Sequence, residues 1–156
     1  MPIKTIIIDI EGTTTDIKFV HQVLFPFARK HLSSYVQQHQ QEPQVATIIE
    51  QVKSELPVDS ALDTSLSQVI ELLIQWIDED KKATPLKALQ GLIWQSGYLS
   101  GELKSHIYPD VLPALQQWHQ QGIELGIYSS GSVAAQKLLF GYSDFGDLTQ
   151  LFSHYF

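Results

Sequence analysis

The chain has 156 residues, no cysteine and a formal net charge of −7, from 17 acidic and 10 basic side chains. The acidic balance and the absence of a Lys/Arg-rich block argue against nucleic acid or an anionic membrane as the main partner. The lack of cysteine excludes disulfides, thiol catalysis and cysteine-bound zinc. No apolar stretch approaches the ~20 residues that span a bilayer and no signal peptide is visible, so we expect a soluble cytoplasmic protein of one domain, with or without an insertion.

The most informative segment follows the first predicted strand. The β-branched apolar run at residues 6–8 predicts a parallel strand that is buried on both faces. Asp9 and Glu11 come directly after it, and because residues i and i+2 of a strand point the same way, both carboxylates are expected at its carboxyl end. Open α/β sheets place their ligand sites at that edge. Gly12 permits a sharp turn, and the threonines at residues 13–15 offer hydroxyls and amides.

The middle of the chain, from residue 18 to about residue 104, has a helical pattern without any predicted strand. Pro26 lies inside the first helical stretch and predicts a kink or a break there. The clearest helix is predicted from Ser60 to Asp78. Its apolar seam consists of Leu62, Leu66, Val69, Leu73 and Ile77. Another helix is predicted to end near Gly97, with a loop over residues 96–101.

An α/β pattern then returns. Pro109 suits the start of a helix and Gly122 suits its end. Alternating apolar residues at 123–127 predict a second strand, and Ser132 is expected to cap the helix that follows. Residues 151–156 are typical of the approach to a third strand.

The spacing of the two strands predicts an inserted domain. More than a hundred residues separate Asp9 from Ser129, whereas a βαβ crossover needs little more than a dozen and a helix. We therefore predict an α/β fold: a Rossmann-like parallel-sheet core, incomplete, from residues 1–17 and 105–156, with residues 18–104 inserted as a helical cap. The cap is expected to rest over the edge where the first strand ends.

Two strand ends are thus predicted to face one crevice, with Asp9 and Glu11 on the first and Ser129, Ser130 and Gly131 on the second. The second loop leads into a helix N-terminus, whose free amides and dipole favour phosphate. Two carboxylates would repel that phosphate without a divalent cation, and Mg²⁺ takes one or two carboxylates together with phosphate oxygens. Either motif alone is also typical of an ordinary turn, but together they favour phosphoryl transfer, with one carboxylate attacking phosphorus and the other protonating the leaving oxygen.

These residues resemble a known family. Residues 9–13 look like the D-x-D-x-T first motif of the haloacid dehalogenase superfamily, with Glu11 in place of the second aspartate. The longer strings at residues 9–20 and 127–141 are similar to the enolase-phosphatases, or acireductone synthases, of methionine salvage. The similarity covers most of the chain, including residues 108–110.

The resemblance implies an activity and a role for each matching residue. The activity is Mg²⁺-dependent enolisation and then dephosphorylation of 2,3-diketo-5-methylthiopentyl-1-phosphate. Asp9 takes the place of the nucleophile and a magnesium ligand, and Glu11 that of the acid/base group, also associated with the metal. The residues implied in binding the phosphorylated substrate are Thr13, Ser129, Ser130 and Gly131.

Two further motifs of the family, a lysine and a metal-binding acid, have no counterpart that we can place in these 156 residues. Lys137 lies on the helix of the second motif and does not fit the role of that lysine. Two other interpretations therefore stay open. One is a truncated, non-catalytic module that binds a phosphorylated ligand or a partner without turnover, and the other is a general small-molecule phosphatase. The oligomeric state is not predicted.

Overall fold

The computed structural model describes residues 1–61 and 63–156. The described chain divides into two compact units, one formed by Met1–Leu24 with Gln95–Phe156 and the other by Phe25–Trp94. The first unit contains the sheet, and the second is helical. The assignment of residues 18–104 to an inserted cap domain stays a prediction.

A parallel sheet forms the centre of the first unit. Its strands are β1 (Thr5–Ile8), β2 (Glu124–Ile127) and β3 (His154–Tyr155), in the order β1-β2-β3. Both pairs are parallel, and the register places Ile8 beside Ile127, so β1 and β2 end together. The parallel α/β core predicted from the sequence is confirmed, as is the third strand near the end of the chain.

Only one face of this sheet is packed in the described part of the chain. Ile8, Leu125 and Ile127 lie on that face and are buried in the core of the first unit. On the other face Ile7 lies beside Gly126 and keeps 59% of its surface exposed. The prediction that residues 6–8 are buried on both faces is therefore wrong, because no described element packs over the face of the sheet on which Ile7 lies.

The helices follow local sequence rules for the most part. Their bounds are α1 (Ile17–Phe19), α2 (Phe25–His39), α3 (Pro43–Ser54), α4 (Val58–Ala61), α5 (Leu66–Asp78), α6 (Thr84–Ser100), α7 (Val111–Gln120) and α8 (Val133–Gly141), with a π-helical segment at Val20–Leu24 and a 3-10 turn at Thr149–Leu151. The break predicted at Pro26 is confirmed: the π-helical segment ends just before α2, whose second residue is this proline. Proline cannot donate the backbone hydrogen bond of a regular helix, so the ladder is interrupted there.

The second unit has an apolar core of its own, formed by α2, α3, α5 and the first part of α6. Among its members Val69 and Leu73 are fully buried, whereas Leu66 is only partly buried. The predicted seam is thus confirmed for the described residues: Val69 and Leu73 are fully buried, and Leu66 and Ile77 are partly buried and pack against the same core. Leu62 lies outside the described residues. On the surface, Arg29 on α2 donates two hydrogen bonds to Asp78, of 2.7 and 2.9 Å, and the bonded guanidinium holds the pKa of that carboxyl below its usual value.

Two predicted helix boundaries are wrong for identifiable reasons. Helix α5 begins at Leu66 and not at Ser60, because Ser65 and Gln68 form a reciprocal capping box that fixes the start there. Helix α6 continues to Ser100, so residues 96–100 are not a loop. It stops at Gly101, which has φ +84°, a left-handed conformation that glycine adopts without strain.

The alkaline stability of the first unit should depend on Tyr98. Its hydroxyl shares a buried hydrogen bond of 2.7 Å with Ser105, and burial raises its pKa to about 12 from the ordinary 10.0. Because the folded-state pKa is the higher one, the neutral form contributes stability that is complete below pH 10 and is lost as the pH rises toward 12. We expect the free energy of unfolding, measured with urea, to fall across that range more steeply in the wild type than in Tyr98→Phe.

At neutral pH Tyr98→Phe should cost about 1–3 kcal/mol, because it leaves the buried Ser105 hydroxyl without this partner. Tyr128→Phe is the matched control, since Tyr128 is 67% exposed. Parallel pH profiles for the wild type and Tyr98→Phe would contradict this prediction.

Candidate active site

The two predicted motifs lie side by side. The Tyr128 amide donates to the Ile8 carbonyl at 3.0 Å, which extends the β1–β2 ladder one step past its last strand pair. Asp9 follows Ile8 and Ser129 follows Tyr128. The predicted position of Asp9 and Ser129 at the carboxyl ends of adjacent parallel strands is therefore confirmed, at the edge where open α/β sheets bind ligands. That their side chains face one cleft stays a prediction.

The two carboxylates are open to solvent. Asp9 and Glu11 are both exposed, and the residue between them, Ile10, is only 4% exposed. One oxygen of Asp9, Oδ1, accepts a hydrogen bond of 2.8 Å from the Ile10 amide. No salt bridge of Asp9 or Glu11 is found within the described residues. Within the described residues, the site thus presents two carboxylates that form no ion pair with a basic side chain.

The turn after Asp9 uses up most of the donors that the threonines were expected to offer. The Ile10 carbonyl accepts from the amides of residues 13, 14 and 15 at 3.1, 3.0 and 3.1 Å, and the Gly12 amide donates to Thr15 at 2.8 Å. Gly12 has φ +76°, as the sharp turn requires. Thr14 and Thr15 are buried, so only Thr13 keeps an exposed hydroxyl. The expectation that all three threonines offer free amides is wrong.

A distant segment holds this turn in place. The Tyr108 amide donates to the Thr14 carbonyl at 2.9 Å, and the Asp16 amide donates to Nδ1 of His106 at 3.1 Å. As the acceptor, Nδ1 carries no proton, so the neutral ring has its hydrogen on Nε2. No local signal in the sequence identifies this contact, because Asp16 and His106 are 90 positions apart.

The loop after β2 is partly closed on itself and partly open. The Ser129 amide donates to the main-chain oxygen of Phe156 at 3.2 Å, and the Ser129 hydroxyl accepts from the Gly131 amide at 3.2 Å. Ser132 caps α8 as predicted, since its hydroxyl accepts from the Ala135 amide at 3.1 Å. In the part of the chain that the structure describes, no hydrogen bond is seen for the amides of Ser130, Ser132, Val133 and Ala134. Open amides at a helix N-terminus favour a bound anion.

The residues present fit part of a magnesium site. No group of three His, Asp or Glu side chains that could hold a metal is found among the described residues. Asp9 and Glu11 nevertheless supply two carboxylates, and Mg²⁺ commonly takes one or two of these and completes its shell with water and phosphate oxygens. Lys137 contributes nothing to this edge that the structure shows: its ammonium lies over the Tyr155 ring, 5.3 Å from the centroid.

The family of the chain follows from its match to known proteins. The model of the haloacid dehalogenase-like hydrolases matches residues 3–155. The chain belongs to this family. This match confirms the superfamily that was predicted from the D-x-E motif. It also confirms the predicted enzyme class, a phosphatase-type hydrolase.

Individual relatives agree with the family match. The chain is 55% identical over 156 residues to the enolase-phosphatase E1 of Pseudomonas syringae pv. tomato, covering 100% of this chain and 67% of that protein. It is 56% identical over 154 residues to the enolase-phosphatase E1 of Erwinia tasmaniensis, covering 99% of this chain and 66% of the relative. The chain of this haloacid dehalogenase-like hydrolase thus spans about two thirds of the length of these curated relatives.

A solved structure has the same fold. The crystal structure of the UTR4 protein of Saccharomyces cerevisiae matches with a TM-score of 0.79 and 33% sequence identity, over 99% of this chain and 67% of that chain. The predicted Rossmann-like α/β fold class is therefore confirmed. Among the described residues of this hydrolase, no helix has both the length and the apolar character that crossing a bilayer requires.

Proposed function

We propose that this chain carries the nucleophile and the phosphate-binding loop of an Mg²⁺-dependent enolase-phosphatase. The reaction converts 2,3-diketo-5-methylthiopentyl-1-phosphate to the acireductone 1,2-dihydroxy-3-keto-5-methylthiopentene and phosphate, in the methionine salvage pathway of the cytoplasm. One observation carries the proposal: Asp9 and the open-amide loop at Ser129 lie at the ends of adjacent parallel strands. Identity of 55% to an enolase-phosphatase E1 supports the choice of substrate.

Asp9 is the proposed nucleophile. Its Oδ1 is held by the Ile10 amide at 2.8 Å, which leaves Oδ2 to attack the phosphorus atom. Glu11 is the proposed acid/base group: it gives a proton to the leaving oxygen, and takes one from the water that hydrolyses the aspartyl phosphate. When bound by Asp9 and Glu11, Mg²⁺ supplies positive charge that lowers the repulsion between carboxylate and phosphate.

The substrate phosphate is proposed to bind to the loop of Ser129, Ser130 and Gly131, with the Thr13 hydroxyl on the opposite strand end. The amide of Ser130 and those at the start of α8 are the open donors, and the helix dipole adds a favourable potential. The Gly131 amide already donates to the Ser129 hydroxyl. Gly131 is therefore proposed to act through the shape of the loop and its close approach to the ligand.

The deciding experiment measures phosphate release from the diketo substrate, with Mg²⁺ and after chelation by EDTA. It is run on the 156-residue chain and on the native polypeptide that contains it, whose length is established by intact mass. We expect Mg²⁺-dependent release from the native polypeptide, and slow release from a protein that lacks a lysine and a further acid at this site, because such electrostatic stabilisation commonly contributes about 10²-fold or more. Phosphate binding without release in the native polypeptide would favour the non-catalytic module, and equal rates on unrelated phosphate esters would favour a general phosphatase.

Glu11→Gln should lower phosphate release in the native polypeptide by about 10²–10⁴-fold, because the amide cannot transfer a proton to the leaving oxygen. The variant keeps nearly the same size, so the thermal unfolding midpoint should not move. Glu124→Gln is the matched control, since Glu124 is exposed at the opposite end of β2. A Glu11→Gln rate close to that of Glu124→Gln would remove Glu11 from the proposed mechanism.

A further inference from the structure

Behind the loop after β2 lies a buried amide side chain. Gln136, on the first turn of α8, is only 1% exposed. Its Nε2 donates to the Gly131 carbonyl at 2.9 Å and to the main-chain oxygen of Phe156 at 2.7 Å. Both of its N–H groups are thereby used, and Oε1 has no partner within the described residues. A flipped amide would place Oε1 against two other oxygens, so this orientation is the one the surroundings support.

The side-chain amide of Gln136 joins the loop to the segment that follows the third strand. The main-chain oxygen of Phe156 accepts two hydrogen bonds, one from Nε2 of Gln136 and one from the Ser129 amide at 3.2 Å. The loop at residues 129–131 is therefore tied to Phe156, the residue after β3, directly through the Ser129 amide and indirectly through the side chain of Gln136. Because Gln136 is buried, these hydrogen bonds are shielded from competing water.

The direction of the Gly131 carbonyl determines what the loop offers to a ligand. In a trans peptide the carbonyl of one residue and the N–H of the next point in opposite directions, and this chain has no cis peptide among its described residues. With its oxygen bound to Gln136, the Gly131 carbonyl turns inward and the Ser132 N–H turns to the opposite side of the loop. A carbonyl oxygen directed the other way would repel a phosphate.

We infer that Gln136 is a positioning residue for phosphate binding: it holds the Gly131 carbonyl away from the ligand and aims the Ser132 amide at it. This inference rests on the proposed function, because it takes the loop after β2 as the phosphate site. Gln136 itself does not contact the phosphate. It sets the polarity of the loop at this one peptide, so that the Ser132 N–H and not the Gly131 carbonyl oxygen faces the phosphate.

The test is a titration of the ¹⁵N-labelled chain with inorganic phosphate in the presence of Mg²⁺, followed by the amide resonances of residues 130–133. Gln136→Met keeps the length of the side chain and removes its donors. We expect this variant to raise the phosphate dissociation constant roughly tenfold, about the effect of one lost hydrogen bond. It should also move the Ser132 amide resonance before any phosphate is added.

Gln90→Met is the matched control, because Gln90 is a buried glutamine on α6, 5% exposed, in the other unit. It should lower the unfolding midpoint without changing the phosphate dissociation constant. A purely structural Gln136 would behave in the same way. In the wild type, exchange of the Gln136 side-chain amide hydrogens should slow when phosphate binds, since the ligand stabilises the positioned loop.

Each outcome decides a separate claim. Equal phosphate affinity of the wild type and Gln136→Met would overturn the inference and leave the proposed function standing. A wild-type chain that binds no phosphate would overturn both. An unmoved Ser132 resonance in the free variant would show that Gln136 does not set the peptide orientation. If Gln136→Met does not fold, unchanged exchange of the wild-type side-chain amide on phosphate binding overturns the inference.

Discussion

Asp9→Asn should abolish phosphate release by the native polypeptide that carries this sequence, a loss on the order of 10⁴-fold or more. The amide is nearly the same size as the carboxylate, but it is a poor nucleophile and a weak ligand of Mg²⁺. The Ile10 amide donates its hydrogen bond to a side-chain oxygen, which asparagine also has, so the turn should keep its shape. The measurement is the steady-state rate of phosphate release, with the thermal unfolding midpoint taken in parallel.

Asp16→Asn provides the control for this experiment. Asp16 is close in sequence, and its side chain accepts from the Lys18 amide at 2.9 Å to cap α1. Asparagine caps a helix about as well as aspartate, so this variant should keep both fold and activity. A phosphorylated intermediate, detected as the mass of one added phosphoryl group after acid quench, should form with Asp16→Asn and not with Asp9→Asn. An Asp9→Asn enzyme that releases phosphate at the wild-type rate would refute the assignment of the nucleophile.

Leu73→Ala should lower the free energy of unfolding of the helical unit by about 2–5 kcal/mol. Leu73 has no exposed surface and belongs to the core of Phe25–Trp94, so the truncated side chain leaves a cavity among packed neighbours. Urea unfolding followed by the fluorescence of Trp76, which is buried in the same core, reports on this unit.

Leu66→Ala is the comparison variant, because it truncates a less buried leucine of the same helix. Leu66 stands on the same helix but is only partly buried at its first turn, so the cost of truncation should be clearly smaller. Leu99→Ala, at a site 66% exposed, should change stability by less than about 0.5 kcal/mol. An equal loss of unfolding free energy in Leu66→Ala and Leu73→Ala would contradict the difference in burial between these two side chains.

Features with local causes could be predicted from the sequence alone. The cap at Ser132 depends on one hydroxyl and an amide three residues on, and the break at Pro26 depends on a missing N–H in that residue. The pairing of β1 with β2 followed from two apolar runs that each lead to a polar turn, since parallel strands end at the same edge. These rules placed Asp9 beside Ser129 without any coordinates.

Other features were decided by contacts between segments far apart in the chain. The exposure of Ile7 depends on which elements cover each face of the sheet. The β-branched run at residues 6–8 has the same pattern whether one face is covered or both, so the sequence does not distinguish the two cases. The threonine amides were expected to be free, but they converge on one carbonyl because of how the turn closes. Gln136 meets a main-chain oxygen 20 positions away, and His106 meets an amide 90 positions away. No periodicity encodes such pairs, because a hydrogen bond between distant segments exists only once packing has brought its donor within about 3 Å of its acceptor.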